Sequence, residues 1–536
     1  MNLTLTPALR GGMRITLKAL LEADLVELGV LLSLVVIHAV SPYWLVQEFA
    51  DFVGVLLGLT SVVTISFAPV YGYFAYPLLR KPILFIVILV AATLTAHMYI
   101  INNPALPGCR DTTKNVNGCI MDEVYYVPTA ENMLNGTQCG PTVPNCNMEH
   151  PFLSKALIAA GIAAFGDNTF GWRILNVLMG TFSLPLLFAL VLRISKKKRF
   201  AYIAASLLAL DVMFFTQSSA ALIDIPSVFF GLLAFVAYAY EVKVWLFDRY
   251  MVSGVFMGLA ILCKETGVFL ALALATYHLL THREGEQRSE VRPVFISTIK
   301  FVCVTAAVFA LGMQAYDSLF AFHAFPVFID QLKYMLSYGS SLIGPGWTYG
   351  NNIQITPFSW MTYYQPVVYY GTSVTVCTNS VNGVCQGGSL VFPGVAYYGV
   401  TNLIETWTTY IWFPLALFIA WKAYAPVRRG LEQFGFKDPA RGALSGDQKV
   451  IVLALVWFLW GYFPYVIMFA VGRVTYPFYF VPAVPAVAIG ASYFLTRNWV
   501  PRYTTVLYIA GCFALFFLFF PSKAFLPDWL RALIGK

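Results

Sequence analysis

Apolar runs of about 18 residues or more recur along this chain, and they leave few folds open to it. In lipid every backbone N–H and C=O must be paired within the protein, so a spanning segment is a helix or part of a closed barrel. A barrel would show short alternating segments. Long continuous runs predict an all-α polytopic membrane protein. Only 11% of the residues are charged, against about 25% in a soluble domain. The formal net charge of +8 gains its meaning from where the bases lie, and it does not point to a nucleic-acid partner.

Basic residues mark one side of the membrane. Arg10, Arg14 and Lys18 precede a first span at roughly 25–41, and Arg80-Lys81 follow a second at roughly 52–78. The positive-inside rule puts both groups, and the N-terminus, in the cytoplasm. Residues 1–24 lack the small-residue cleavage site of a signal peptide. A third span, roughly 83–102, then delivers residues 104–170 to the outside. The run Lys196-Lys197-Lys198-Arg199 anchors the inner end of the fourth span. Continued alternation predicts about 13 transmembrane helices and two long extracytoplasmic loops, 104–170 and 320–403. The second loop is rich in aromatics, among them Trp360, Tyr369 and Tyr370, which suits an ordered loop at the interface. Cys109, Cys119, Cys139, Cys146, Cys377 and Cys385 all fall in these two loops. Their even number suggests disulfides on an oxidising side, with 109–119, 139–146 and 377–385 as the local pairings. Asn135-Gly136-Thr137 on the same side is an N-glycosylation acceptor pattern.

The chemistry concentrates in the polar stretch Asp122–Arg173 and at the outer span ends. The acids there are Asp122, Glu123, Glu149 and Asp224; the bases are Lys155, Arg173, Lys264 and Arg473, with His150 titratable. Ionisable groups at membrane depth are costly and frequently functional. Arg and Lys can hold a phosphate, and a carboxylate opposite them can take the proton of an attacking hydroxyl. Plainer roles are open to some of them. Asp224 can cap the helix that follows, with Pro226 in its first turn, and Glu265 can neutralise Lys264. Asp122, Glu123, Glu149 and His150 could also assemble an oxygen-rich site for a divalent cation; metal dependence stays open, and no cofactor is certain.

The series Asp122-Glu123-x-x-Tyr126, His150-Pro-Phe-Leu-Ser-Lys155, Phe170-Gly-Trp-Arg173, Asp224-Ile-Pro-Ser227 and Cys263-Lys-Glu-Thr-Gly267 resembles the protein O-mannosyltransferase family and its bacterial and archaeal relatives. The likeness covers roughly residues 83–280, with a weaker echo at Arg473-Val-Thr-Tyr-Pro477. It implies a GT-C fold over 83–536, preceded by a cytoplasmic segment and two additional helices in 1–82. It implies Asp122 as catalytic base with Glu123 beside it, and Glu149-His150 in the active-site loop. Arg173, Lys264, Arg473 and Lys155 would lie near the donor phosphate. The implied donor is a polyprenyl-phosphate sugar, most readily mannose, and the acceptor a Ser/Thr hydroxyl of a protein. Two departures stand out. The family's His-Pro-Pro-Leu-Gly-Lys is here His-Pro-Phe-Leu-Ser-Lys, and the eukaryotic carbohydrate-reading domain is missing. Together with the loop cysteines, the second departure leans towards an archaeal or bacterial plasma membrane over the endoplasmic reticulum. A lipid or lipid-linked glycan acceptor is the alternative. A transporter or flippase is less consistent, because such proteins place charges near the bilayer midplane rather than at outer span ends.

Overall fold

The computed structural model describes residues 81–104, 119–137, 139, 146–282, 291–319, 325, 327–342, 356–362, 367–377, 380–381, 384–385, 389–423, 444–498, 500 and 502–522. The first two expected spans lie outside these residues. So do the basic groups at 10–18 and 424–443, and Cys109.

Helix α1 (Pro82–Ile100) is followed by α2 (Glu123–Leu134), α3 (Leu153–Phe165) and α4 (Thr169–Ser195). Next come α5 (Lys198–Leu210), α6 (Val212–Ser218), α7 (Asp224–Ala239), α8 (Arg249–Cys263), α9 (Gly267–His282) and α10 (Val291–Leu319). Helix α11 (Phe328–Ser341) and the single turn α12 (Ser359–Thr362) lead to strands β1 (Val367–Cys377), β2 (Ser380–Val381), β3 (Val384–Cys385) and β4 (Ser389–Gly399). The chain closes with α13 (Leu403–Ala423), α14 (Gly446–Ala470), a 3₁₀ helix (Pro477–Ala483), α15 (Val484–Leu495) and α16 (Arg502–Phe519).

Among the described residues six helices are long and apolar enough to cross a membrane, or seven if α5 and α6 count as one span bent by 64°. Helices α7, α8 and α9 are apolar too, but shorter than those six. The 64° break explains part of the shortfall. Asp211 at the break accepts the Phe214 N–H (2.7 Å) and so starts a new helix where the sequence reads as one continuous run.

Both expected loops carry regular structure. The first contains α2 and α3; the second contains α11 and an antiparallel hairpin in which Val367 faces Gly399 and Cys377 faces Ser389. The hairpin corrects the all-α expectation. Val367-Val-Tyr-Tyr and Val395-Ala-Tyr-Tyr supply the β-branched and aromatic residues that favour strands, in segments too short to register as spans. The hairpin is tied to the bundle at three points. Met121 N–H donates to Tyr369 O (3.3 Å), Ala396 N–H donates to Pro521 O (2.8 Å), and the Tyr397 hydroxyl donates to Asn103 O (2.9 Å). Cys139 and Cys146 form the expected local disulfide.

Candidate active site

Two of the sequence motifs are built around glycines with no room for a side chain. A Cβ on Gly171, of Phe-Gly-Trp-Arg, would lie 2.1 Å from Gly166 O, so α3 and α4 meet backbone to backbone. A Cβ on Gly267, of Cys-Lys-Glu-Thr-Gly, would lie 2.8 Å from Ala260 C and O; its own N–H closes the turn onto Lys264 O (2.8 Å). Ser154 stands where the family has glycine. Its hydroxyl sits between Ile223 O (3.3 Å) and Cys263 O (3.2 Å), joining three motifs. Phe152 replaces the second proline and stacks on Tyr316, ring centroids 4.7 Å apart.

These contacts frame a cavity of about 1290 Å³. Asp122, Glu149, His150, Lys264, Glu265 and Arg473 line its polar end. The remainder runs between α9 and α10 along Val268, Phe269, Leu272, Phe301, Val302 and Phe309. Val268, Leu272 and Val302 are exposed, so this part opens sideways, out of the bundle.

Asp122 and Glu123 are adjacent but turn apart. Met121 adopts a left-handed φ of 54°, a conformation that non-glycine residues hold only where the surroundings require it. The turn leaves Asp122 on the cavity wall. Burial raises its carboxyl pKa, with Asp224 adding to the rise; His150, Lys264 and a hydrogen bond from Tyr126 oppose it, and the net shift is upward. Glu123 points into the protein instead. It takes Arg173 in a two-pronged ion pair (Nε–Oε1 2.7 Å, Nη2–Oε2 2.8 Å), with both side chains 0% exposed. Glu123 also accepts the N–H groups of Ile120 (2.8 Å) and Ala221 (2.7 Å). Arg173 Nη1 donates to Ile101 O (2.9 Å) and Asn103 O (2.8 Å).

This geometry corrects two expected placements. The Arg173 guanidinium is engaged by Glu123 and two backbone carbonyls and does not line the cavity. Glu123 lies on Arg173, behind the cavity wall. Lys155 calls for the same correction. It is 0% exposed, and its ammonium donates to Asn147 O and to His150 O (2.9 Å), so it holds the loop that presents Glu149 and His150. Burial pushes its pKa down to about 7, against the opposing pull of Glu149 and Glu265.

The remaining candidates face the cavity. Lys264 Nζ contacts Asp224 Oδ1 at 2.7 Å and lies 5.1 Å from the ring centres of both Phe478 and Tyr479. Asp224 therefore anchors a lysine rather than capping α7, whose N-cap is Ile223. Glu265 makes no direct ion pair with Lys264 among the described residues; it meets His150 Nδ1 at 3.0 Å. Burial alone would raise the Glu265 pKa, but His150 and Lys264 outweigh it and hold it down to about 2. Glu149 lies near the phenols of Tyr334 and Tyr338 on α11. Arg473 has no acid partner among the described ion pairs, and its Nε makes no hydrogen bond.

No group of three His, Cys, Asp or Glu suited to a metal ion occurs among the described residues. Of the proposed metal set, Glu123 faces Arg173 and His150 faces Glu265. The sequence reading missed Glu265 as the partner of His150, and Phe478-Tyr479 as the wall beneath Lys264. Both adjoin motif residues, and that adjacency was the available signal.

Comparison with known proteins fits this arrangement. Residues 149–312 match the family model described as dolichyl-phosphate-mannose-protein mannosyltransferase. The polyprenol-phosphate-mannose–protein mannosyltransferase of Mycobacterium tuberculosis is 28% identical over 232 residues, which is 38% of this chain and 44% of that protein. The enzyme of the same name from Corynebacterium glutamicum is 24% identical over 362 residues, 55% of this chain and 67% of that one. The chain therefore spans less than half the length of the mycobacterial relative it matches. A Saccharomyces cerevisiae protein O-mannosyltransferase, in the Pmt1-Pmt2 complex bound to the sugar donor, shares the fold with a TM-score of 0.53. It does so at 12% identity, over 82% of this chain and 90% of that one. In motif order, matched region and fold, the chain resembles the protein O-mannosyltransferase-like, GT-C-fold family of membrane glycosyltransferases.

Proposed function

We propose that the chain is an inverting glycosyltransferase that moves mannose from a polyprenyl phosphate to a Ser/Thr hydroxyl of a protein, on the extracytoplasmic face of an archaeal or bacterial plasma membrane. One observation carries the reading. A single cavity joins a carboxylate with a raised pKa, two cations and an apolar groove that opens sideways. The polyprenyl tail fits the groove between α9 and α10. Arg473 faces the phosphate as its principal cation, with Lys264 beside it. Lys264 is held by Asp224 and so supplies a fixed positive end.

Asp122 takes the proton of the acceptor hydroxyl. The acceptor oxygen bonds to the anomeric carbon as the bond from that carbon to the phosphate oxygen breaks, and the electron pair leaves with polyprenyl phosphate. The charge developing on the leaving phosphate falls opposite Arg473 and Lys264. A single displacement inverts the anomeric centre. Glu149, beside Tyr334 and Tyr338, faces the side from which an acceptor enters.

The test is purified protein with polyprenyl-phosphate-mannose and a Ser/Thr-rich peptide, alongside Asp122→Asn. Mannosyl-peptide from the wild type alone supports donor, acceptor and base together. Donor consumed without peptide product moves the acceptor to a lipid. Equal turnover by Asp122→Asn removes the assigned base.

A further inference from the structure

A second buried polar cluster lies on α13, apart from the residues used above. Asn402, Glu405 and Thr409 follow one another at intervals of three and four, which places them on one helix face. Asn402 and Glu405 are 0% exposed and Thr409 is 2% exposed. That face meets the break between α5 and α6. Asn402 N–H donates to Asp211 Oδ2 (3.0 Å), and its amide nitrogen donates to Leu210 O (3.1 Å) and Cys512 O (2.9 Å).

Among the described residues, both Glu405 carboxylate oxygens, Asn402 Oδ1 and Thr409 Oγ1 are buried and meet no N–H or O–H donor; the weak donor beside Glu405 is the Cys512 thiol. The titratable groups facing Glu405 are Asp211, Cys512 and Tyr508, and none of them is a cation. Glu405 stands three residues after Asn402, where a glutamate ordinarily reaches back to the N–H at the helix start. Here Asp211 already holds that N–H, so the usual structural use of the carboxylate is closed.

An unpaired carboxylate in the interior is far more costly than an unpaired amide. The Asp211 charge is met by the N–H groups of Phe214 and Asn402. The group in the cluster that faces neither a cation nor an N–H among the described residues is therefore the Glu405 carboxyl. Carboxylate and amide oxygens beside a discontinuous helix are the donor set with which membrane proteins hold small cations. We propose that Glu405, Asn402 Oδ1 and Thr409 Oγ1 form a binding site for one small monovalent cation, seated against the α5–α6 break and ligated by oxygen alone.

The test is thermal unfolding of the full chain in detergent, in NaCl, KCl or choline chloride at one ionic strength, with a CaCl2 series beside them. The expected result is a saturable rise of Tm in NaCl or KCl over choline, lost in Glu405→Gln. Thr409→Val should fold and move the half-effect to higher salt, which keeps the proposal testable if Glu405→Gln does not fold. Equal Tm in the three salts, an unchanged salt response in both variants, or a rise with CaCl2 alone would overturn it. The readout involves neither donor nor acceptor, so its failure is distinct from failure of the mannosyl-transfer reading.

Discussion

Glu123→Gln is the perturbation that best separates scaffold from chemistry. The substitution keeps the side chain's size and one carbonyl oxygen but leaves Arg173 buried without a counter-charge. Removing one partner of a buried ion pair costs about 3–5 kcal/mol. Glu123 also accepts the buried N–H groups of Ile120 and Ala221; Gln can still serve one, and orphaning the other adds about 1–3 kcal/mol. The sum is about 4–8 kcal/mol, comparable to the whole stability of an ordinary domain. Replacing both partners with apolar residues would not rescue it, because Ile101 O and Asn103 O would then lose the guanidinium. The assay is thermal unfolding of the variant in detergent beside Asp122→Asn, with donor turnover measured at a temperature where both are folded. Glu123→Gln should lower Tm by several degrees, and Asp122→Asn should not. A Glu123→Gln protein with wild-type Tm and no turnover would refute the reasoning and return Glu123 to the chemistry.

Asp122→Asn should lower turnover by about 10²–10⁴-fold, the usual contribution of a general base, with Tm unchanged. The raised Asp122 pKa sets the pH profile. The base works only when ionised, so the rate should fall with pH through a value above the ordinary 3.9 of aspartate. Lys264 lowers that pKa, so Lys264→Met should move the acid limb to higher pH in a kcat/KM profile; movement to lower pH would contradict the geometry. Arg473→Gln removes a charge-assisted contact of about 1.5–3 kcal/mol and should cut kcat/KM for the donor by about 10–150-fold, leaving Tm nearly unchanged because no acid among the described residues pairs with it. Glu149→Gln should alter KM for the acceptor and not for the donor, measured with each substrate varied in turn.

Much of the bundle was legible because apolar runs and Lys/Arg clusters report a simple physical preference. The positions of the six long apolar helices among the described residues followed from it. The α5–α6 break did not, since Asp211 is one polar residue in an apolar run and its effect depends on capping geometry. The hairpin was hidden for a different reason: its β-branched and aromatic residues lie in a loop whose aromatics read equally well as interfacial packing. Among site residues, placing acids and bases at one end of the bundle was within reach of the sequence. Sorting them was not. Asp122 and Glu123 are chemically alike and adjacent, and only the left-handed turn at Met121 sends one to the cavity and the other to Arg173. Likewise Lys264 and Lys155 both follow polar motif residues, but one meets Asp224 on the cavity wall and the other three oxygens beneath the loop.

The hydrogen bond from Met121 to Tyr369 bears on how the protein is made. The residue preceding Asp122 is fastened to a strand synthesised about 250 positions later, and Arg473 arrives later still. During translation the nascent chain would carry every motif from Asp122 to Gly267 well before it could close the pocket around them. A ribosome-bound or prematurely terminated chain should therefore hold Asp122 without the wall that carries Arg473, and the proposed transfer requires the chain to be made at least through Arg473.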